Sequence, residues 1–274
     1  MLLEFKTKNY KSFVEEANFS MLAAPKQKGL DYSLMKEKIK GREIKGLSSS
    51  VIYGPNAAGK TNIIGAMDVL RSIVLRGNIR NSEEKSLPNP AAAALELIPN
   101  SETEEPKPVC FEIEFYEEDR EKHKFRIHYG LQCDLGTFLE EDHQRKIFEE
   151  VLEVNGEKVF ERTEDLKIWN LKVIKDYLPD ITEKNVDSVN EIAKGSLNQD
   201  ELFLTNGFKL IVAPGFAKLI IDWFTNKFMV ICHADSMQLI KRFVDPKKRQ
   251  FMLRKQQMKQ QNYLESILIH SDMW

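Results

Sequence analysis

The sequence predicts an α/β fold, and three observations support this prediction. A short apolar segment at residues 51–53 runs into a glycine-rich loop and then into residues with helical spacing. Residues 109–162 alternate between apolar and polar side chains, which is typical of an antiparallel β meander. After about Leu166 the apolar spacing becomes helical. We therefore expect a core of residues 1–175 that carries this β lobe, followed by a helical region of residues 176–274.

The N-terminal part of the chain predicts two strands and one helix. Alternating apolar residues predict a first strand from Leu3 to about Tyr10 and a second strand around residues 19–23. The lysine-rich stretch 24–46 shows no periodicity, so we expect an irregular surface excursion there. A helix is expected over residues 60–76, because six apolar residues recur at helical spacing: Ile63, Ile64, Met67, Leu70, Val74 and Leu75.

The middle of the chain predicts a long connection and then antiparallel strands. Five prolines lie within residues 77–108, where we expect at most one short element around residues 91–97. Asn155 and Gly156 separate two apolar segments. They favour a tight hairpin, because both residue types tolerate positive φ.

The last third predicts helices. Apolar spacing suggests one helix from Leu166 that ends at Pro179, and a second around residues 216–224. A short strand is expected over residues 228–232. The tail from Ser236 onward is expected to be helical and polar.

Composition limits the class of protein. The chain has 274 residues, 42% of them hydrophobic and 30% charged, as in an ordinary soluble globular protein. No apolar run approaches the roughly 18–20 residues of a membrane span, and the N-terminus lacks the apolar stretch of a signal peptide. We therefore expect a cytoplasmic protein that makes no membrane contact. The net charge of −2 argues against a chain that is basic throughout. The three cysteines and five histidines show no zinc spacing and are expected to be structural.

Residues 54–61, Gly-Pro-Asn-Ala-Ala-Gly-Lys-Thr, match the pattern GxxxxGK[ST] of a phosphate-binding loop, or P-loop. Glycines allow the backbone to turn its N–H groups inward at a helix N-terminus, where they form a nest for an anion. Lys60 should reach the β- and γ-phosphates, and the Thr61 hydroxyl should ligate Mg²⁺. The alternative is a glycine-rich turn that caps a helix and binds nothing. The motif predicts binding of a purine nucleoside triphosphate, namely ATP with Mg²⁺.

We expect the nucleotide to contact the whole loop and the residue that follows it. Asn56 should help to arrange the γ-phosphate region, and Asn62 should lie against the phosphates at the start of the helix. Lys60 is the candidate catalytic residue, because phosphoryl transfer depends mainly on positioning and charge neutralisation. The expected contacts from this segment are Gly54, Pro55, Asn56, Ala57, Ala58, Gly59, Lys60, Thr61 and Asn62.

Three segments carry a resemblance to a known family. The loop sequence Gly-Pro-Asn-Ala-Ala-Gly-Lys-Thr-Asn at 54–62 resembles that of ABC-type ATPase heads of the SMC/RecF/OLD-like branch. Asn-Tyr-Lys-Ser-Phe at 9–13 resembles the N-terminal motif of that branch. The alternating strand at 111–115 resembles the antiparallel β lobe of OLD-like and abortive-infection ATP-binding proteins of the AAA family. The resemblance is strong over residues 1–75, moderate over residues 109–175 and weak beyond.

The resemblance implies further features. It implies an ABC-type head in which Lys11 lies beside the nucleotide; the alternative is that Lys11 is a solvated turn residue. It implies a head-to-head homodimer with ATP between the heads, or a higher oligomer, and ATP hydrolysis in the intact protein. It also implies a role in bacterial antiphage defence, where such ATPases gate an effector nuclease, or in genome maintenance on DNA.

The parts that such heads use for hydrolysis are not found in this sequence. They are a Ser-Gly-rich signature, a Walker B strand that ends in Asp-Glu, and a switch histidine. The only Asp-Glu pair, Asp200 and Glu201, does not follow an apolar strand, and His233 has no Walker B strand before it. We therefore expect an N-terminal part of a longer protein, in which residues 176–274 precede the missing segments. The alternative is a nucleotide-dependent scaffold that does not hydrolyse ATP.

Residues 241–259 form a basic stretch. Eight lysines and arginines lie there against one acidic residue, Asp245. Such a stretch could follow a nucleic-acid backbone, so a DNA-binding module is a further alternative. Few aromatic residues are interleaved for base stacking. A solvated helix face is the simpler interpretation and the one we expect.

Overall fold

The computed structural model describes residues 1–24, 29, 31–80, 95–102, 105–138, 140, 143–169, 171–180, 182, 186–195 and 197–230. The chain divides into two compact units, Met1–Val230 and Ile231–Trp274. The second unit lies outside the described residues, and so do the predicted helical tail and the basic stretch.

The first unit combines strands with helices, which confirms the predicted α/β class. Its strands are β1 (Leu2–Lys8), β2 (Ala17–Ser20), β3 (Leu34–Ile39), β4 (Arg42–Leu47), β5 (Val109–Glu118), β6 (Lys124–Asp134), β7 (Lys146–Val154), β8 (Glu157–Arg162) and β9 (Leu166–Ile168). Its α-helices are α1 (Lys60–Arg76), α2 (Val186–Gly195) and α3 (Pro214–Asn226). Short 3-10 helices span Asp31–Ser33 and Leu171–Tyr177, and a π-helix spans Leu204–Val212.

Seven strands form one antiparallel sheet in the order β2-β1-β5-β6-β7-β8-β9. The meander predicted over residues 109–162 is confirmed. Asn155 and Gly156, with φ of 56° and 81°, form the β7–β8 turn, as expected of this dipeptide. Residues 166–168 form β9 on the outer edge of the meander, so the expectation of helix from Leu166 is wrong at its start.

The core lies between one face of this sheet and the helices. Phe5 and Phe115 point into it and are fully buried, because side chains alternate between the two faces of a strand. Phe115 stacks on Trp223 of α3, with ring centroids 3.9 Å apart. Arg71 of α1 donates from Nε to the carbonyl oxygens of Phe224 (3.0 Å) and Phe228 (2.8 Å) and so binds the C-terminal end of α3.

Helix α1 has the predicted bounds. Seven of its side chains are buried on one face: Ile63, Ala66, Met67, Val69, Leu70, Ile73 and Val74. The helix ends where Gly77 adopts φ 77° and its N–H bonds the Ile73 carbonyl. A glycine adopts this left-handed conformation at little cost.

Residues 34–47 correct the expectation of an irregular excursion. β3 and β4 pair as an antiparallel hairpin, and Lys40 and Gly41 form its turn with φ of 46° and 82°. Ile39 packs there with Leu3 and Tyr116 in a second, small apolar cluster. The hairpin was missed because its strands carry lysines and glutamates that hide the alternation.

Two predicted strands are not formed in the described part of the chain. Residues 51–53 are irregular, and Val51 and Tyr53 are 68% and 87% exposed. Residues 228–230 are also irregular, while 231 and 232 lie outside the described residues. An apolar run forms a strand only where a neighbouring strand pairs with it, and the described sheet offers neither run a partner.

Of the remaining predictions for the last third of the chain, one is confirmed and one is wrong. The helix around residues 216–224 is confirmed as α3. The expected helix before Pro179 is instead a 3-10 segment, Leu171–Tyr177, with a kink at Ile174 (φ −124°, ψ 22°). Of the element expected at 91–97, only residues 95–97 are described, and they are irregular.

Candidate functional site

The glycine-rich loop leads directly into α1. Ala57 and Gly59 have φ of 63° and 80°, and Gly59 is the residue that precedes the helix. No side chain caps the helix. Among the described residues, no acceptor pairs with the N–H groups of Gly59, Lys60 and Thr61. These three donors lie at the positive end of the helix dipole, so the loop can receive an anion.

The ammonium group of Lys60 lies within the loop. Its Nζ donates to the carbonyl oxygens of Gly54 (2.8 Å) and Pro55 (2.6 Å). The side chain thus folds back over the loop and adds a full positive charge beside the helix N-terminus. Together with the N–H donors, this charge suits a polyanion such as a triphosphate.

Two polar side chains at the loop remain available to a ligand. Thr61 and Asn56 are exposed, and neither side chain has a hydrogen-bond partner among the residues that the structure describes. A threonine hydroxyl next to a phosphate nest is a suitable ligand for Mg²⁺, which takes few protein ligands and keeps several waters. The donor set therefore fits magnesium bound together with a triphosphate.

Residues 9–13 lie directly against the loop. Asn62 Nδ2 donates to the Ser12 hydroxyl oxygen at 2.7 Å. A methyl group placed on Gly59 would lie 3.0 Å from the Phe13 ring and 3.1 Å from the Ser12 hydroxyl. The structure thus brings together two of the three segments that carry the family resemblance.

Lys11, which precedes Ser12 in this turn, pairs with an acidic residue. Its Nζ lies 2.5 Å from Glu96 Oε2 and 5.6 Å from the centre of the Tyr10 ring. The Lys11 side chain is only 22% exposed, whereas that of Glu96 is 70% exposed. Glu96 was not anticipated, because it lies in the proline-rich connection, which carries no periodic signal.

Asp200 and Glu201 lie at the opposite end of α1. Both pair with Arg80, with distances of 3.0 Å from Arg80 Nη2 to Asp200 Oδ1 and 2.7 Å to Glu201 Oε1. The Ile79 N–H also donates to the Asp200 carbonyl oxygen. Helix α1 has 17 residues and is roughly 25 Å long. Asp200 and Glu201 therefore lie too far from the loop to act as its Walker B acids, in agreement with the sequence analysis.

Two carboxyl groups have raised pKa values, the partly buried Asp68 and the fully buried Glu150, and they lie in different parts of the first unit. Burial raises the pKa of Asp68 in α1, while Arg71 opposes the shift and Glu96 adds to it. Burial also raises the pKa of Glu150, which lies in β7 among backbone donors of the 202–204 segment. Glu150 serves the packing of the sheet against the π-helix rather than the loop.

Several predicted features lie outside the described residues. They include His233 and the basic stretch 241–259. Within the described residues, no helix is long and apolar enough to cross a membrane. No group of three or more histidine, cysteine or acidic side chains there could hold a metal ion. A P-loop magnesium site differs from such a cluster, since one hydroxyl and the phosphates supply its ligands.

Comparison with known proteins gives one family. The model described as "AAA domain, putative AbiEii toxin, Type IV TA system" matches residues 49–190, just over half of the chain, and this range contains the loop, α1 and the whole β meander. No curated protein matches the chain. The match and the geometry of the loop agree on nucleotide chemistry, and the chain belongs to this AAA-domain family of P-loop ATPases.

Proposed function

We propose that residues 54–62 bind Mg²⁺-ATP and that the intact protein hydrolyses it. One observation carries this proposal: three N–H donors without acceptors among the described residues lie at the start of α1, beside the Lys60 ammonium and the Thr61 hydroxyl. These groups lie together at the N-terminal end of α1. The AAA family assignment gives independent support.

Each group has a distinct role in this proposal. The N–H groups of Gly59, Lys60 and Thr61 bind phosphate oxygens. The Lys60 ammonium leaves the carbonyl oxygens of the loop and binds the β- and γ-phosphates instead. Thr61 holds the magnesium ion, which neutralises charge on the transferred phosphoryl group. Asn56 contacts the γ-phosphate region from the loop. Lys60 thereby stabilises the charge that shifts toward the leaving oxygen as the bond to the γ-phosphate breaks.

We further propose an ABC-type head of the SMC/RecF/OLD-like branch. Support comes from the contact between residues 9–13 and the loop, since both segments resemble that branch. In this arrangement Lys11 leaves Glu96 and approaches the nucleotide. The chain is then an N-terminal core, residues 1–175, followed by a helical region before the segments that hold Walker B and signature.

The working unit we propose is a cytoplasmic head-to-head homodimer with ATP between the heads. The exposed loop supports it, because a second head can then reach the nucleotide and supply the groups that Lys60 and Thr61 do not. Its engagement would gate an effector nuclease or an activity on DNA in antiphage defence. A scaffold that binds ATP without turnover is the alternative.

Replacement of Lys60 tests nucleotide binding. We expect Lys60→Ala to weaken Mg²⁺-ATP affinity roughly 10- to 150-fold, which corresponds to the loss of one charged hydrogen-bonding group. Lys146→Ala, which removes an exposed lysine from β7, is the matched control and should bind as the wild type does. Isothermal titration calorimetry measures both affinities. Equal affinity of Lys60→Ala and wild type would refute the proposed site.

Hydrolysis is measured separately, by phosphate release. Turnover in the intact protein that Lys60→Ala abolishes supports the ATPase. Tight binding of ATP by an intact wild-type protein that shows no turnover favours the scaffold.

A further inference from the structure

The phosphate-binding loop itself is exposed and makes few contacts, whereas the segment beside it is firmly held. Tyr10 and Phe13 exchange two backbone hydrogen bonds, of 3.0 and 2.9 Å. Between them, the Lys11 N–H donates to the Ile98 carbonyl at 3.1 Å, and Asn100 Nδ2 donates to the Lys11 carbonyl at 2.6 Å. The turn at residues 9–13 is therefore held both by its own hydrogen bonds and by hydrogen bonds to residues 98–100.

This turn touches the loop at two points. The first is the hydrogen bond from Asn62 Nδ2 to the Ser12 hydroxyl, at 2.7 Å. The second is the packing of the Phe13 ring on Gly59, where the space for a Cβ is already filled. A side chain at position 59 would be strained by the positive φ, and its Cβ would press on the Phe13 ring.

We propose that Ser12 is a positioning residue for the nucleotide site, an inference that rests on the proposed function. Helix α1 starts without a side-chain cap, so no side chain of the loop satisfies the N–H groups of its first turn. Ser12 supplies that restraint from outside the helix, because its hydroxyl holds Asn62 one residue after Thr61. The restraint keeps the N–H groups of Gly59, Lys60 and Thr61 aimed at the phosphates.

Phe13 adds a steric restraint to this polar one. The Phe13 ring lies against Gly59 and limits movement of the loop toward the turn at residues 9–13, while the Ser12–Asn62 hydrogen bond limits movement away from it. The two contacts together fix the distance between the turn at residues 9–13 and the start of α1. A site that is already ordered before binding loses less conformational entropy when ATP arrives.

The test compares three serine variants in the full chain. Ser12→Ala removes the acceptor, and we expect Mg²⁺-ATP affinity to fall about three- to tenfold. Ser12→Thr keeps the hydroxyl at an exposed position and should restore affinity close to wild type. Ser72→Ala changes a serine further along α1, away from the loop, and should leave Mg²⁺-ATP affinity unchanged. Calorimetry gives the affinities, and thermal unfolding should show the same midpoint for all variants.

A second readout does not depend on nucleotide. The amides of Asn62 and Ile63 bond the Gly59 carbonyl at 2.9 and 3.2 Å, and we expect their hydrogen exchange to accelerate in Ser12→Ala. Unchanged exchange, or wild-type affinity in Ser12→Ala, would overturn the inference. Equal losses in Ser12→Ala and Ser12→Thr, together with a lower unfolding midpoint, would also overturn it.

The double variant Ser12→Ala/Asn62→Ala completes the test. If Ser12 acts through Asn62, the double variant binds Mg²⁺-ATP no more weakly than Asn62→Ala alone; additive losses contradict this route. Lys60→Ala separates the two proposals. Wild-type affinity in Lys60→Ala refutes the nucleotide site, and exchange at Asn62 then still decides whether Ser12 fixes the helix start.

Discussion

At the scale of single residues, Glu150 shows how a buried charge can be structural. Its carboxylate is fully buried and accepts the N–H groups of Phe203 (2.6 Å) and Leu204 (2.9 Å) and the Tyr129 hydroxyl (2.9 Å). Arg162 lies 3.9 Å away. These groups satisfy the carboxylate, yet burial still raises its pKa above the usual 4.5. Glu150 lies on β7 and contacts the start of the π-helix, which indicates a role in packing.

The raised pKa of Glu150 predicts a pH dependence of stability. The native state holds this proton more tightly than the unfolded state, so the contribution of Glu150 is greatest below its unfolded pKa and declines as pH rises through the folded pKa. We expect the free energy of unfolding of the wild type to fall, relative to that of Glu150→Gln, as pH rises from 4 to 7. Urea unfolding at a series of pH values measures it.

A matched variant controls for the other titrating groups. Glu149→Gln changes the adjacent, half-exposed carboxylate on β7. Its stability difference from wild type should vary less with pH than that of Glu150→Gln. A wild-type free energy of unfolding that rises with pH relative to that of Glu150→Gln would contradict the raised pKa.

At the scale of elements, α1 links the loop at one end to helix α3. Its N-terminus carries the donors of the candidate site, and its buried face packs on the sheet. Arg71, near its middle, binds the carbonyl oxygens at the end of α3. The positive guanidinium also interacts favourably with the negative end of the α3 dipole.

Loss of the Arg71 link should destabilise the fold without affecting the site. We expect Arg71→Met to lower the free energy of unfolding by about 1.5–3 kcal/mol, the range for hydrogen bonds to charged groups. Methionine keeps the apolar stem and removes the donors. Arg120→Met, at an exposed turn, should change stability by less than about 0.5 kcal/mol. Chemical denaturation of both variants tests this; equal stability would show that the Arg71 contacts contribute nothing.

At the scale of the whole molecule, aromatic residues join the meander to the helical segments. Phe160 of β8 lies against Phe203 and Phe208, with ring centroids 4.9 and 5.1 Å apart. All three are fully buried. On the other side of the core, Phe115 and Trp223 make the corresponding contact with α3.

Truncation of Phe160 should therefore destabilise the whole first unit. We expect Phe160→Ala to cost about 3–5 kcal/mol, the usual range for a buried phenylalanine, out of a total stability of about 5–15 kcal/mol. Phe148→Ala, at a 58% exposed position on β7, is the control and should change stability little. Thermal and urea unfolding compare the two. Similar losses for both would mean that burial does not set the stability here.

The sequence by itself determined the elements whose signals are local. The loop at 54–61, helix α1 and the β7–β8 turn follow from residue types at fixed spacing, since glycine conformation, helical periodicity and Asn-Gly turns need no distant partner. The meander follows from alternation in the same way. These features also contain the residues of the proposed nucleotide site.

Only the tertiary structure decided the features that depend on partners far apart in the chain. It left residues 51–53 without a strand partner, paired β3 with β4, and turned residues 166–168 into an edge strand. It also placed Ser12 on Asn62 and Glu96 on Lys11. The physical reason is that strand pairing and polar contacts need a second surface, and a local pattern does not show which distant segment supplies it.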